Sequence, residues 1–297
     1  MTQANPGLKT PFIGVSPKKV KFRKKSPEGL AGAAPSSAHP NFTYHGGLVV
    51  VNPQVYTIFL GDWVSTQNQD RANRLNQFII DLMKSTYMNI LSQYGSGSTG
   101  SFIQSVFIAN SNLTLKDAGI RAILQDAINN NRIPEPKNPS NVNIIFLDNA
   151  TGIKDTDIII CEPANDNAFG YHNFFTTSAG NSCYYAVVPG LIDDCLRKSC
   201  GSDSTCSLQL GHSQEQRQTQ VTSHEFSEMI SDPQLNAWFD PNDGENGDIC
   251  NGQTGTISVG ANAWLVQLMY SKTDDDKSNG KITCISSVVN PYPSLIP

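Results

Sequence analysis

The chain has 297 residues, of which 38% are hydrophobic and 16% charged, and its formal net charge is −5. That apolar share suffices for a substantial core, and the acidic balance argues against a general nucleic-acid binder. No run approaches the roughly 18 apolar residues that a bilayer-crossing helix needs, and no apolar stretch follows Met1 that would read as a secretory signal.

Residues 1–43 are rich in Pro, Gly, Ala and Lys and include Lys18, Lys19, Lys21, Arg23, Lys24 and Lys25. They read as a basic, disordered arm ahead of one domain over 44–297. Residues 48–60 are β-branched and aromatic, as in a strand. Over 67–94, Leu75, Phe78, Ile79, Leu82 and Met83 recur at helical spacing. A strand is predicted at 102–108, an amphipathic helix at 116–129 and a strongly apolar strand at 142–147. Short strands follow at 157–161 and 184–188, with 169–177 extended between them. A third helix over 214–230 is stopped by Pro233, and late strands lie at 263–270 and 281–289. Strands alternating with helices predict an α/β fold, a mixed sheet with covering helices and an irregular C-terminal part.

Seven cysteines are an odd number, so at least one is unpaired within the chain. Cys195, Cys200 and Cys206 crowd a polar stretch, 193–216, that resembles a surface insertion. Zinc knuckles use paired C-x2-C spacing, which is absent here, so these cysteines read as disulfide formers and point to an extracellular compartment.

The chemistry concentrates on the third helix. His224 and Glu228 stand four residues apart, on one helix face, where an imidazole and a carboxylate can close on one ion. Glu225 occupies the place of the general base in H-E-x-x-H zinc hydrolases, with Glu228 in place of the second histidine. The plain alternative is a solvated helix face carrying a His–Glu pair. A catalytic zinc needs a third protein ligand, and the acidic turn over 240–248 offers Asp240, Asp243, Glu245 and Asp248. Glu245 is favoured and Asp248 second. Asp232 lies eight residues beyond His224, about 12 Å along the axis, and reads as a turn or cap residue. The same turn partly matches a calcium loop, failing at its fifth and sixth positions.

His172 is either a half-buried histidine bonded to backbone or a functional group: substrate-facing, electrophilic or a further metal ligand. Tyr171 beside it could polarise a carbonyl. His39, His45 and His212 carry no assigned role. There is no G-x-S-x-G elbow, no P-loop and no dinucleotide-binding glycine pattern.

Several blocks resemble a known family. Tyr44-His-Gly-Gly47 followed by Val55-Tyr-Thr-Ile-Phe-Leu-Gly-Asp-Trp63 is similar to the start of the exordium-like, phosphate-induced protein family and its microbial relatives. Gly170-Tyr-His172, Tyr185-Ala-Val-Val-Pro189, the block Ser223-His-Glu-Phe-Ser-Glu-Met-Ile-Ser-Asp-Pro233, Asn236-Ala-Trp238 and Gly244-Glu-Asn-Gly-Asp-Ile-Cys250 resemble later blocks of microbial members. The resemblance implies an extracellular protein that retains a His/Glu helix. Separately, the element order with a late metal helix resembles the zincin-type metallopeptidases, an analogy of fold.

The expectation is a zincin-like domain in which His224, Glu228 and Glu245 bind zinc. Glu225 takes a proton from the water the zinc activates, a peptide or protein is the substrate, and His172 is a second catalytic candidate. The alternatives are a non-catalytic secreted interaction protein with a structural metal, and a module stabilised by calcium at the 240–248 turn.

Overall fold

Five strands form the central sheet: β1 (Gln54–Leu60), β2 (Ser101–Ile108), β3 (Asn141–Leu147), β4 (Tyr171–Thr176) and β5 (Ser182–Val188). Their order is β2-β1-β3-β5-β4, with the first four parallel and β4 antiparallel to β5 at one edge. This computed structural model describes residues 40–156, 158–162, 168–200, 211–242, 244–278 and 282–297. Every residue of β3 is buried, as expected of an interior parallel strand with both faces covered. The α/β expectation of a mixed sheet with covering helices therefore holds.

Side-chain alternation along the strands divides the core in two. One face carries Phe59, Ile144, Phe146, Ala186 and Val188 against helices α1 (Thr66–Lys84) and α4 (Gln214–Ser231). The other carries Ile58, Leu60, Ile145, Tyr185 and Val187 against α2 (Asp117–Asn129). On β4 the same alternation turns His172 and Phe174 toward α4, and Tyr171 and Phe175 toward α2.

Helix α4 follows β5 and is buried from Arg217 to Ser231. It begins with a reciprocal capping box between Ser213 and Gln216. Burying so polar a helix requires its hydroxyls to find partners, and they use the helix itself. Thr222 Oγ1 donates to Gln218 O at 2.6 Å, Ser223 Oγ to Gln220 O at 2.8 Å and Ser227 Oγ to His224 O at 2.9 Å. These small side chains let the sheet, α1 and the hairpin β6 (Thr254–Val259)–β7 (Asn262–Gln267) all pack against one helix. Asp81 on α1 latches the hairpin, accepting from Trp264 Nε1 at 2.9 Å and Asn262 Nδ2 at 2.8 Å.

Four expectations change in detail. The helix expected over 67–94 stops at Ser85, whose hydroxyl donates to Leu82 O at 2.8 Å and accepts from Tyr87 N at 3.3 Å. That local bonding competes with helix continuation, and a new turn starts at Met88. The first strand begins at Gln54 rather than residue 48, after Asn52 with φ 49° and Pro53. Within 193–216, residues Asp193–Cys200 form helix α3, because Cys195 and Leu196 reach the core. The last strand shrinks to Cys284–Ile285, paired with Met269–Tyr270. At the other end Phe42 is fully buried and stacks on Trp238, and Thr43–Tyr44 pairs with Trp238–Phe239, so the ordered fold includes these residues.

Among the described residues, two disulfides join Cys161 to Cys195 and Cys250 to Cys284. One of the three crowded cysteines is thus bridged, while Cys206 and the Cys200 side chain lie outside what is described. Cys183 is unpaired and buried in the α2-side core, where burial pushes its thiol up out of the reactive range. The Cys250–Cys284 bridge closes a loop of sequence separation 34, for which chain-entropy arguments give about 3–4 kcal/mol. Cys284→Ser should lower unfolding stability by that amount in denaturant titration without reductant, and an unchanged midpoint would show that the bridge does not constrain the unfolded chain.

Candidate metal centre

Three elements converge on the middle of α4. The helix contributes His224, Glu225 and Glu228; the edge strand β4 contributes His172; and the one-turn helix α5 (Asn246–Ile249), with its cap, contributes Glu245 and Asp248. Five of these six side chains are at most 2% exposed, and Asp248 is 22% exposed.

His172 Nδ1 lies 3.5 Å from Glu228 Oε2 and 3.8 Å from Glu225 Oε2, and its Nε2 lies 3.5 Å from Glu245 Oε1. His224 Nε2 lies 3.2 Å from Glu228 Oε1 and 3.9 Å from Asp248 Oδ1. Two donors each about 2.1 Å from a tetrahedral ion stand about 3.4 Å apart, so the closest of these donor pairs are spaced to share an ion, which takes one nitrogen of each ring. Among the described residues the donors form two groups with ligand atoms within 4.8 Å of one another: His172, Glu228 and Glu245, and His224, Glu228 and Asp248. The expected ligands are thus distributed: His224 and Glu228 stand with Asp248, Glu245 stands with His172, and Glu228 is common to both.

Buried charge makes the site expectant of a cation. Glu225, Glu228, Glu245 and Asp248 are four carboxylates against two imidazoles. Even with both rings protonated, two negative charges are left over in a place with little water to screen them. The titrations reflect this. Burial alone would lower both imidazoles, yet Glu245, Glu225 and Glu228 hold His172 well above its ordinary value, and Glu228 lifts His224 to about 10. Burial raises Glu225, and burial with the charge of Glu228 pushes Asp248 up to about 8. Glu228 goes the other way: burial opposes its ionisation, but the flanking imidazoles pull it down to about 2. Both oxygens of Glu225 are buried without a hydrogen bond, as are both ring nitrogens of His172.

Backbone proximity completes the cradle. A Cβ at Gly247 would stand 2.8 Å from Glu228 Oε1 and 2.9 Å from His224 Nδ1, so only glycine lets α5 press this close to α4. Asp248 N then donates to Glu228 Oε1 at 3.1 Å. Glu245 and Asp248 also cap α5 reciprocally, which fixes the turn that presents them. Behind the ring of His224, Gln267 Nε2 lies 2.5 Å from Nδ1 and donates to Gly247 O at 2.8 Å. This hairpin residue orients His224 so that Nε2 faces Glu228. Residue spacing carried no signal for it.

Other sequence candidates lie elsewhere. Tyr171 faces the opposite side of the sheet, within the cluster of Asp117 and Tyr185, so it does not reach these donors. Asp232 is the C-cap of α4, its Oδ1 accepting from Asn236 N at 2.5 Å and Ala237 N at 2.7 Å. Asp240 closes its own turn, exchanging backbone bonds with Gly244 and accepting from Asn242 N at 2.6 Å. It belongs to neither donor group among the described residues, and Asp243 lies outside them.

Orienting partners of a ligating histidine typically change metal affinity about 10- to 100-fold. Gln267→Ala should weaken binding of a divalent cation by that factor in a chelator competition while leaving the fold intact by circular dichroism. An unchanged affinity would mean that the amide does not position His224.

Compared with known protein families, with characterised proteins and with solved structures, the chain matches none.

Proposed function

We propose that this protein is a metal-dependent hydrolase, with zinc the metal its donors suit best and a peptide bond the bond it cleaves. The observation that carries the reading is Glu225: a carboxylate with no hydrogen-bond partner, 0% exposed, held among the metal donors on the residue beside His224. A ligand set alone would not need it; a general base would stand there. Imidazole and carboxylate donors suit zinc, and a cation held by them supplies Lewis acidity toward a carbonyl and toward water. Glu225 takes the proton of the attacking water and can return it to the leaving amine. His172, beside Glu225, either completes the donor set or steadies negative charge as it develops on the substrate.

The zincin-like reading rests on a mixed sheet with an antiparallel edge strand and a metal helix that comes after the sheet's last strand in sequence, with α3 between them. The exordium-like reading rests on its motif blocks, several of which fall at this centre. An extracellular location is supported by the two disulfides. Among the described residues no helix is long and apolar enough to cross a membrane.

Burial favours a second reading. Five of the six side chains are at most 2% exposed, and closed sites are the habit of structural metals. In that case the chain is a non-catalytic secreted protein whose metal ties α4, β4 and α5 together.

One pair of variants separates these readings. Glu225→Gln should keep its metal and lose about 10²- to 10⁴-fold in hydrolysis of a broad peptide library, the usual worth of a general base. His224→Ala should lose metal, measured by mass spectrometry on the same samples. Full activity in Glu225→Gln removes Glu225 as the base, and a parent protein that holds metal but cleaves nothing favours the structural reading.

A further inference from the structure

Most features outside this centre have plain structural explanations. Asp117 is occupied by Tyr185, Asn173 and Arg121, and Asp275 by Tyr270. The apolar side chains Ile103 and Phe107 on the outer strand β2 are exposed, but nothing indicates what would cover them. The metal centre itself holds more than one ion requires.

We infer that the centre binds two divalent cations bridged by Glu228, one held by His172 and Glu245 and the other by His224 and Asp248. This rests on the metal-centre reading above and replaces its single ion with a pair.

Geometry is the first argument. The two oxygens of Glu228 face different partners: Oε2 is 3.5 Å from His172 Nδ1, and Oε1 is 3.2 Å from His224 Nε2. A carboxylate placed this way presents one oxygen to each of two ions. Each half then has the same composition of one imidazole, one terminal carboxylate and the shared one. Two-metal sites hold their ions about 3.5–4 Å apart, a separation that a bridging carboxylate spans.

Charge is the second argument. The four carboxylates carry four negative charges, which two divalent cations neutralise with both imidazoles in the neutral form that ligation needs. One divalent ion would leave two buried negative charges over. Partner supply is the third: both ring nitrogens of His172, 1% exposed, have no hydrogen bond. A single ion at His224, Glu228 and Asp248 would leave that ring facing Glu225, Glu228 and Glu245 with neither a hydrogen bond nor an ion.

The mixed nitrogen and oxygen donors suit zinc, manganese or iron rather than calcium or magnesium, which prefer oxygen alone. Such a pair would stabilise both the attacking oxygen and the departing oxygen of an in-line displacement, so phosphate esters join amides as a substrate class to be assayed.

The test is stoichiometry on the full chain. Chelator-stripped protein is titrated with zinc, desalted and measured by mass spectrometry, and a manganese-loaded sample is examined by electron paramagnetic resonance. Two zinc ions per chain are expected in the parent, one each in His172→Ala and His224→Ala, and weakened binding at both sites in Glu228→Gln. The manganese spectrum should show exchange coupling, which a bridge produces and two distant ions do not, so the parent alone decides if a variant misfolds. Saturation at one zinc overturns the pair and leaves the single-ion centre standing. No bound zinc overturns both, and two ions without coupling overturn the bridge.

Discussion

An excess of negative charge held out of water is the constraint on which this structure depends. Moving a carboxylate into a protein interior costs several kcal/mol even after relaxation, and four of them share one small volume beside α4. Two imidazoles and the amide of Asp248 offset part of that penalty. The remainder calls for a cation, and the same carboxylates hold both imidazoles above their ordinary values. An apolar replacement of these residues would be the easier core to build, so packing alone does not account for them.

The scaffold answers that constraint from several sides. Self-bonded serine and threonine hydroxyls allow α4 to sit inside the protein with those groups satisfied. The antiparallel edge strand brings His172 across from Ala186 and onto α4's side of the sheet. Glycine at 247 allows α5 to approach, Gln267 reaches in from the hairpin, and the hairpin is latched to α1 through Asp81. The Cys250–Cys284 bridge anchors the end of α5 to the C-terminal segment. Elements far apart in sequence therefore meet in one centre, and an ion there would bind β4, α4 and α5 to one another in turn.

What the sequence could reveal follows from the range of each interaction. The strands at 142–147 and 184–188 were legible as short apolar runs, buried on both faces, and the helix over 214–230 was bounded by Pro233. His224, Glu225 and Glu228 were legible as a spacing on one helix. The break at Ser85 was hidden because it depends on a hydroxyl bonding its neighbours rather than on hydropathy. The short pairing of Thr43–Tyr44 with Trp238–Phe239 joins segments too distant and too brief to leave a pattern. At the centre, the division of Glu245 toward His172 and Asp248 toward His224 depends on where β4 and α5 come to rest. Parity along β4 did contain the information that His172 and Tyr171 face opposite ways, but not which side α4 would cover.

Access then decides what the charge is for. Of the six side chains only Asp248 has appreciable exposure, so anything reaching the metal donors from solvent must come past α5 and its acidic turn. A substrate would have to enter there, displacing or lifting a carboxylate that the Glu245 amide holds at 3.2 Å. Glu225 sits next to His172 and against Gly170, whose missing side chain leaves its carboxylate room. A purely structural metal has no need of a carboxylate without bonds, nor of a glycine that keeps the space beside it clear. The closed surface argues for a tie, while the contents argue for a reaction. Both meet at α5, because the same short turn supplies two of the donors and, among these six side chains, the one exposed edge.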